Sequence, residues 1–408
     1  MKDFSVKKIS AVLHLWLGLG SGLVVFLICI TGCIYVFEDE LQSFFYKERR
    51  YVTIPADAKR KPLSELIVIA QNELGQEHPV QQIEIPAGAD RSYIIRPEQI
   101  RNPKAYTYFG ETVYYRKIYI NPYSGEIIKN ENTKYEFFSI VLRLHRNLLL
   151  RRSTGSIIIG SAVIIFVIML ITGIILWWPK NKAALKQRIA FIWKKTTRWK
   201  RKNYDLHNVL GFYASFFLLV IALTGLVWSF DWFENSVKWI ANGGHKSKKV
   251  KAVYSDSANM NTVNPIDNLF RDALNKMPDA EMLSINLPKT RAAVVSVVLH
   301  PDELLTYNRI QLQYDQYSGK LITTGTFGKK DAGEKLRALN YDIHTGAILS
   351  LPGKILAFSA SLIAASLTIT GFCIWYGKRK KTKKAGYKKA VKSYGSLEVA
   401  DISRSFGL

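Results

Sequence analysis

Four stretches of this chain are long and apolar enough to cross a bilayer, roughly Ala11 to Phe37, Thr154 to Trp178, Leu206 to Phe230 and Ile355 to Tyr376, and none carries a charge in its middle. A helix needs about 20 apolar residues to span the hydrocarbon, and only segments that satisfy their own backbone hydrogen bonds persist there. The fold must therefore gather four transmembrane helices and leave everything else at the membrane faces. The first segment follows Lys7 and Lys8 but is too long for a signal core, lacks a small-x-small cleavage site and ends in "YVFEDE". It is expected to remain as an anchor, with no leader removed.

Basic residues predict the orientation. The linker Pro179 to Asp205 holds ten Lys/Arg against one acid, and the tail Gly377 to Leu408 holds ten against two. With Lys2, Lys7 and Lys8, they put the linker and both termini in the cytoplasm. These segments explain most of the +25 formal charge. Lying where topology needs them and lacking a stacking platform, they argue against a nucleic-acid partner. All nine tryptophans fall in or beside the spans, as in an interfacial aromatic belt. Cys29, Cys33 and Cys373 lie within spans and read as small packing residues rather than a disulfide framework.

An internal repeat organises the rest. His14 falls on His207, and Thr31-Gly32 on Thr224-Gly225, at one offset of 193; His145 falls on His344 at 199, and Thr172-Gly173 on Thr370-Gly371 at 198. "INPYSGEII" matches "YDQYSGKLI", with Gly125 and Gly319 expected to supply positive φ in tight turns. Between the spans lie helical stretches, "PLSELIVIAQNEL" and "PIDNLFRDALNKM", each followed by alternating runs such as "QQIEIPA", "SYIIRPE", "RKIYINP" and "RIQLQYD" that read as strands.

The expected fold class is a membrane α-helical protein, four transmembrane helices in two duplicated halves, with two small α+β domains on the outer face. Its layout is a cytoplasmic N-terminus (1–10), a first span (11–37), a first outer module (38–135), an interfacial segment with His145 (136–153) and a second span (154–178). A basic cytoplasmic linker (179–205), a third span (206–230), a second outer module (231–337), an interfacial segment with His344 (338–354), a fourth span (355–376) and a basic cytoplasmic tail (377–408) follow.

The "NPYSGE" hairpin after a helix and two strands, "LHRNLLL" before a span that ends "TGIILWWPK", and "LHNVLGFY" opening another span resemble the PepSY-associated transmembrane helix family of iron-regulated membrane proteins, over approximately residues 8 to 380. The resemblance implies a bacterial inner-membrane protein with two periplasmic PepSY-like domains. Some members are ferric-siderophore reductases that carry b-type haems. The chain departs at the second hairpin, with Asp315 and Gln316 against Asn121 and Pro122, and after His344, where Thr345 replaces the Arg146 that follows His145.

The histidines carry the chemistry. The 17 residues from His14 to Thr31, and from His207 to Thr224, rise about 26 Å in a helix. The expected topology thus sets His14 and His207 near the cytoplasmic face and His145 and His344 near the outer face. A lone histidine here reads as an interfacial polar ring, whereas four at repeat-related positions point to ligands. His78, His245 and His300 fall on Arg271, Val52 and Tyr106 in the other half, the scatter expected of surface histidines. An apolar slot with paired imidazoles suits haem, for which the protein supplies axial nitrogens and partners for the propionates. Gly18 and Gly211, one turn beyond His14 and His207, would let a macrocycle approach the backbone. Arg143, Arg146, Arg151 and Arg152 around His145 would pair with propionates or an anionic iron chelate, or read equally well as solvated charges on an interfacial helix. Continuous helices from His145 or His344 into their spans would overrun the core, so breaks are expected near "RRSTG" and "SLPG".

The leading expectation is a membrane-bound oxidoreductase with haem b, two per chain, whose axial ligands are His14 with His207 and His145 with His344. Its partners would be the lipid bilayer, a ferric siderophore or other iron chelate, and a cytoplasmic electron donor: a separate reductase, a reduced flavin or a quinol, since no flavin or nicotinamide fingerprint occurs in the sequence. The alternative is a non-enzymatic, membrane-anchored PepSY module that binds a peptide, peptidase or transporter.

Overall fold

The computed structural model describes residues 6–57, 59–247, 251–256, 265–302 and 304–405, with side chains to residue 379. The termini expected in the cytoplasm (1–10 and 377–408) and the second outer module (231–337) therefore lie partly outside the described residues.

The chain opens with α1 (Val6–Tyr35), α2 (Glu38–Phe45), α3 (Lys47–Arg50) and α4 (Leu63–Leu74), then β1 (Val80–Pro86) and β2 (Tyr93–Pro97). A side hairpin of β3 (Ile100–Arg101) and β4 (Thr112–Tyr114) brackets α5 (Tyr108–Glu111), and β5 (Arg116–Ile120) and β6 (Ile127–Asn132) lead to α6 (Phe137–Asn147) and α7 (Arg152–Trp177). After α8 (Lys182–Ile189) come α9 (Trp199–Ser229), α10 (Asp231–Ala241) and α11 (Pro265–Lys276). Strands β7 (Met282–Asn286), β8 (Val295–His300), β9 (Ile310–Tyr314) and β10 (Leu321–Gly325) precede α12 (Ala332–Thr345) and α13 (Ser350–Ser405).

Four helical stretches, Val6–Tyr35, Arg152–Trp177, Trp199–Ser229 and Ala347–Arg379, are long and apolar enough to cross a membrane. Large apolar side chains such as Leu23, Ile157, Phe216 and Ile369 stay exposed on them, a surface that only a lipid solvent leaves without penalty. The chain divides into two compact units. One draws on described residues within Met1–Cys29, Ile165–Leu219 and Ala360–Leu408, the other within Ile30–Ile164 and Val220–Ser359.

The second unit contains an antiparallel sheet of eight strands in the order β10-β9-β8-β7-β1-β2-β5-β6. The expectation of two small α+β domains is corrected here, because β1 and β7 pair directly, from Gln82 with Asn286 to Pro86 with Met282. Left apart, each would offer an unpaired edge. Joined, they run one apolar face through Ile95, Ile83, Ile285 and Val297, each fully buried. Helices α4 and α11 pack together and contribute buried Leu66, Ala70, Leu269 and Ala273 to the same core. Their i, i+3, i+4 apolar spacing presents one stripe to the sheet. Ser64 donates to the Asp267 carboxylate and ties α4 to α11.

The two matching hairpins close alike despite different residues. Gly125 (φ 77°) and Gly319 (φ 67°) take the left-handed conformation, and the side-chain oxygens of Asn121 and Asp315 accept the backbone N–H groups of Tyr123 and Tyr317. Each edge strand then hands the chain to a helix with an acidic N-cap. Glu136 accepts from Phe138 N and Ser139 N at α6, and Asp331 accepts from Glu334 N at α12, satisfying N–H groups that the first turn leaves unpaired. Between α6 and α7 the helix stops at Leu148, in the left-handed region. Between α12 and α13 it stops at Gly346 (φ 79°). The breaks expected near "RRSTG" and "SLPG" are therefore both present, α7 opening at Arg152 and α13 at Ser350, with Pro352 in the first turn of α13, where a missing N–H costs nothing.

Truncating the join tests it. Ile83→Ala or Ile285→Ala should each cost about 2–5 kcal/mol and lower the thermal unfolding midpoint in detergent. Ile322→Ala on exposed β10 should leave it nearly unchanged.

Candidate functional site: two crossed histidine pairs

In the first unit, α1 presents His14 and α9 presents His207, with ring centres 6.3 Å apart and planes at 90°. The Nδ1 of His14 lies 3.1 Å from both Thr172 Oγ1 and the Met169 carbonyl oxygen on α7. The Nδ1 of His207 lies 2.9 Å from Thr370 Oγ1 on α13. In the second unit, His145 of α6 and His344 of α12 repeat the arrangement, with centres 6.3 Å apart and planes at 66°. His145 Nδ1 lies 3.2 Å from Thr31 Oγ1 on α1. His344 Nδ1 lies 3.0 Å from both Thr224 Oγ1 and the Ile221 carbonyl oxygen on α9.

The proton positions follow from the acceptors. Thr172, Thr224 and Thr370 donate their hydroxyl hydrogens to Ile168 O, Val220 O and Ser366 O within their own helices, so each hydroxyl oxygen is left to accept. Met169 O and Ile221 O can only accept. The hydrogen is therefore on Nδ1 and the lone pair on Nε2. No hydrogen bond reaches Nε2 of His14, His207 or His344 among the described residues. This is the tautomer that ligates a metal through Nε2 while a hydrogen bond fixes the ring. His344 is pushed down to about 3, by burial first and then by the neighbouring His145, and so stays neutral through the physiological range.

Two imidazoles joined to one metal by bonds of about 2.0 Å, with ring centres about 1.1 Å behind the nitrogens, would have centres about 6.2 Å apart. Both pairs have that separation. Among the described residues, no group of three or more His, Cys, Asp or Glu side chains is placed to hold a metal ion. Two nitrogens fall short of a closed tetrahedral zinc site, but are a complete axial set for a metal whose other four ligands come from a macrocycle. The donor set thus fits haem.

Gly18 and Gly211 face side chains of neighbouring helices, and other glycines lie beside the imidazoles. A Cβ on Gly18 would meet Met169 and one on Gly211 would meet Leu367. The close approaches are made by the glycines after the four threonines: a Cβ on Gly173 would lie 3.2 Å from His14 Cε1, on Gly371 3.2 Å from His207, on Gly32 3.3 Å from His145 and on Gly225 3.4 Å from His344. Of the four arginines, Arg143 lies over the Tyr108 ring, Arg151 donates to the Pro103 carbonyl, and Arg152 uses its backbone N–H to reach Glu111. Arg146 is exposed; desolvation, then the charges of Arg152 and Arg143, pull its guanidinium down.

The Thr-Gly pairs entered the sequence reading only as repeat markers. The available signal was their constant offset, shared with the histidines. Trp228, edge-on to His344 with centres 5.1 Å apart, gave no signal beyond the other belt tryptophans, and buried Trp177 stacks at 3.7 Å on Phe212. Of the remaining histidines, His245 is exposed as expected and half-buried His78 stacks on Tyr114 at 3.5 Å, whereas the surface reading of His300 is corrected, since it is buried at the end of β8.

Four spans and an antiparallel sheet region define a multi-pass membrane protein. The family described as "PepSY-associated TM region" matches residues 11–378, and the chain belongs to it. No curated protein matches the sequence.

His300 yields a pH prediction. Burial, and then the Arg309 charge, push it down to about 4, whereas an unfolded histidine titrates near about 6.5. Between these values the unfolded chain binds a proton that the folded one does not, so stability is lost as pH falls. The thermal midpoint should drop on acidification through that window, and His300→Gln should flatten the dependence.

Proposed function

We propose that this protein is a haem-containing electron-transfer protein of the bacterial inner membrane that reduces ferric iron, held as a siderophore or other chelate, in the periplasm. The observation that carries the reading is the pair of His–His contacts at 6.3 Å, with the Nδ1 groups of His14, His145, His207 and His344 each against a threonine. A b-type haem bound between the imidazoles of a pair supplies reversible one-electron exchange.

The chain's own part is to hold and orient. His14 with His207, and His145 with His344, would hold the haem through their imidazole nitrogens. Exposed Arg146, whose neighbours Arg152 and Arg143 already crowd it with positive charge, is placed to gain from a propionate or an anionic chelate. The basic residues of the linker and tail are the basis for reading the His14 pair as cytoplasmic-side. Each ferric ion gains one electron at the outer face, and the weaker hold of chelators on ferrous iron releases it. A cytoplasmic reductase, reduced flavin or quinol supplies the electrons. The halves are read as a duplication, each giving one ligand to each centre.

The test is a dithionite-reduced minus air-oxidised spectrum of the purified protein, with haem content per chain. About two b-type haems are expected. His14→Ala or His207→Ala should remove one set of bands, and His145→Ala or His344→Ala the other. A colourless protein from haem-replete cells would overturn the proposal in favour of a membrane-anchored module that binds a peptide, peptidase or transporter.

A further inference from the structure

We propose that Thr31, Thr172, Thr224 and Thr370, each with the glycine that follows it, are positioning residues that set the orientation and electron-donor strength of the four imidazoles, and that they act crosswise. This rests on the two-centre reading above. Thr224 shares α9 with His207 but bonds His344, and Thr31 shares α1 with His14 but bonds His145. Each of these helices therefore provides a ligand for one centre and an orienting group for the other.

The geometry is unusually uniform. Four Oγ1–Nδ1 separations fall between 2.9 and 3.2 Å. Four glycines would place a Cβ 3.2–3.4 Å from the Cε1 of the same ring, tighter than ordinary van der Waals contact. The hydroxyl fixes the ring's rotation and keeps the proton on Nδ1, while the missing side chain lets the ring lie against the helix. Buried threonines of this kind often spend their hydroxyls within their own helix. Thr172, Thr224 and Thr370 do so as well, yet each still turns an oxygen lone pair to the ring. A hydrogen-bond acceptor at Nδ1 raises the basicity of the imidazole and so favours the oxidised metal.

Thr370 is the sharpest test, because its oxygen makes the shortest of the four contacts, 2.9 Å from His207 Nδ1, against 3.0–3.2 Å at the other three. In the full-length protein, Thr370→Val should raise the midpoint potential of the centre that His207→Ala abolishes and weaken haem binding there about 10–100-fold. Thr224→Val should instead perturb the centre that His344→Ala abolishes. Thr370→Ser, which keeps the hydroxyl, should restore the potential, and Gly371→Val should shift the same bands as Thr370→Val.

Potentials and spectra unchanged in both valine variants would overturn the proposal, as would a Thr224→Val effect confined to the His207 centre. Should the protein bind no haem, the two-centre reading fails separately. Nitrogen-15 histidine NMR then decides on the clamps: loss of the Nδ1–H tautomer at His207 in Thr370→Val supports them, and an unchanged tautomer overturns them.

Discussion

A neutral imidazole within a membrane bundle must put its one N–H somewhere, and this requirement orders much of the structure. Apolar side chains cannot receive it, and a helix carbonyl, already in its own ladder, has only a second lone pair to offer, as Met169 O and Ile221 O do here. A threonine on an adjacent helix, its hydrogen already committed, still has an oxygen lone pair to offer. Because the Thr172, Thr224 and Thr370 oxygens are bound to their own helices, the acceptor is held rigidly and the helices must approach closely enough to meet it. The glycine beside each threonine permits that approach. Helix spacing, ring orientation and the direction of the Nε2 lone pair thus follow from one hydrogen bond repeated in four places.

The sheet solves a different problem. Helices α6 and α12, which carry His145 and His344, begin shortly after β6 and β10, the two outermost strands. Had β1 and β7 remained separate edges, each half could have placed its helix independently. Their pairing makes one ladder of backbone hydrogen bonds from β10 to β6, and acidic caps at Glu136 and Asp331 start both helices in the same way.

Much of this was legible in the sequence, because bilayer thickness forces a long apolar signature on any spanning helix, and repeat offsets expose paired positions without any knowledge of the fold. The four histidines emerged that way. The joining of β1 to β7 did not, since edge pairing depends on register between strands some 200 residues apart, and alternation alone does not name the partner. The contact of Gly173 with the His14 ring and of Gly371 with the His207 ring was not legible, because it is made by a neighbouring helix and leaves no mark in the spacing along the helix that carries the histidine. His300 read as a surface residue because a single polar side chain in a strand carries no sign of how the sheet face above it is covered.

The route from β6 through α6 to His145, across to His344, and back through α12 to β10 closes on itself by way of the sheet. A closed circuit restricts error. Slipping β1 against β7 by one residue would carry one half past the other by about 3.3 Å and turn every apolar side chain of that strand to the wrong face. The two imidazoles, 6.3 Å apart, have no such slack between them. The two rings, edge-on at 66°, therefore meet as they do only where the sheet is paired in the correct register.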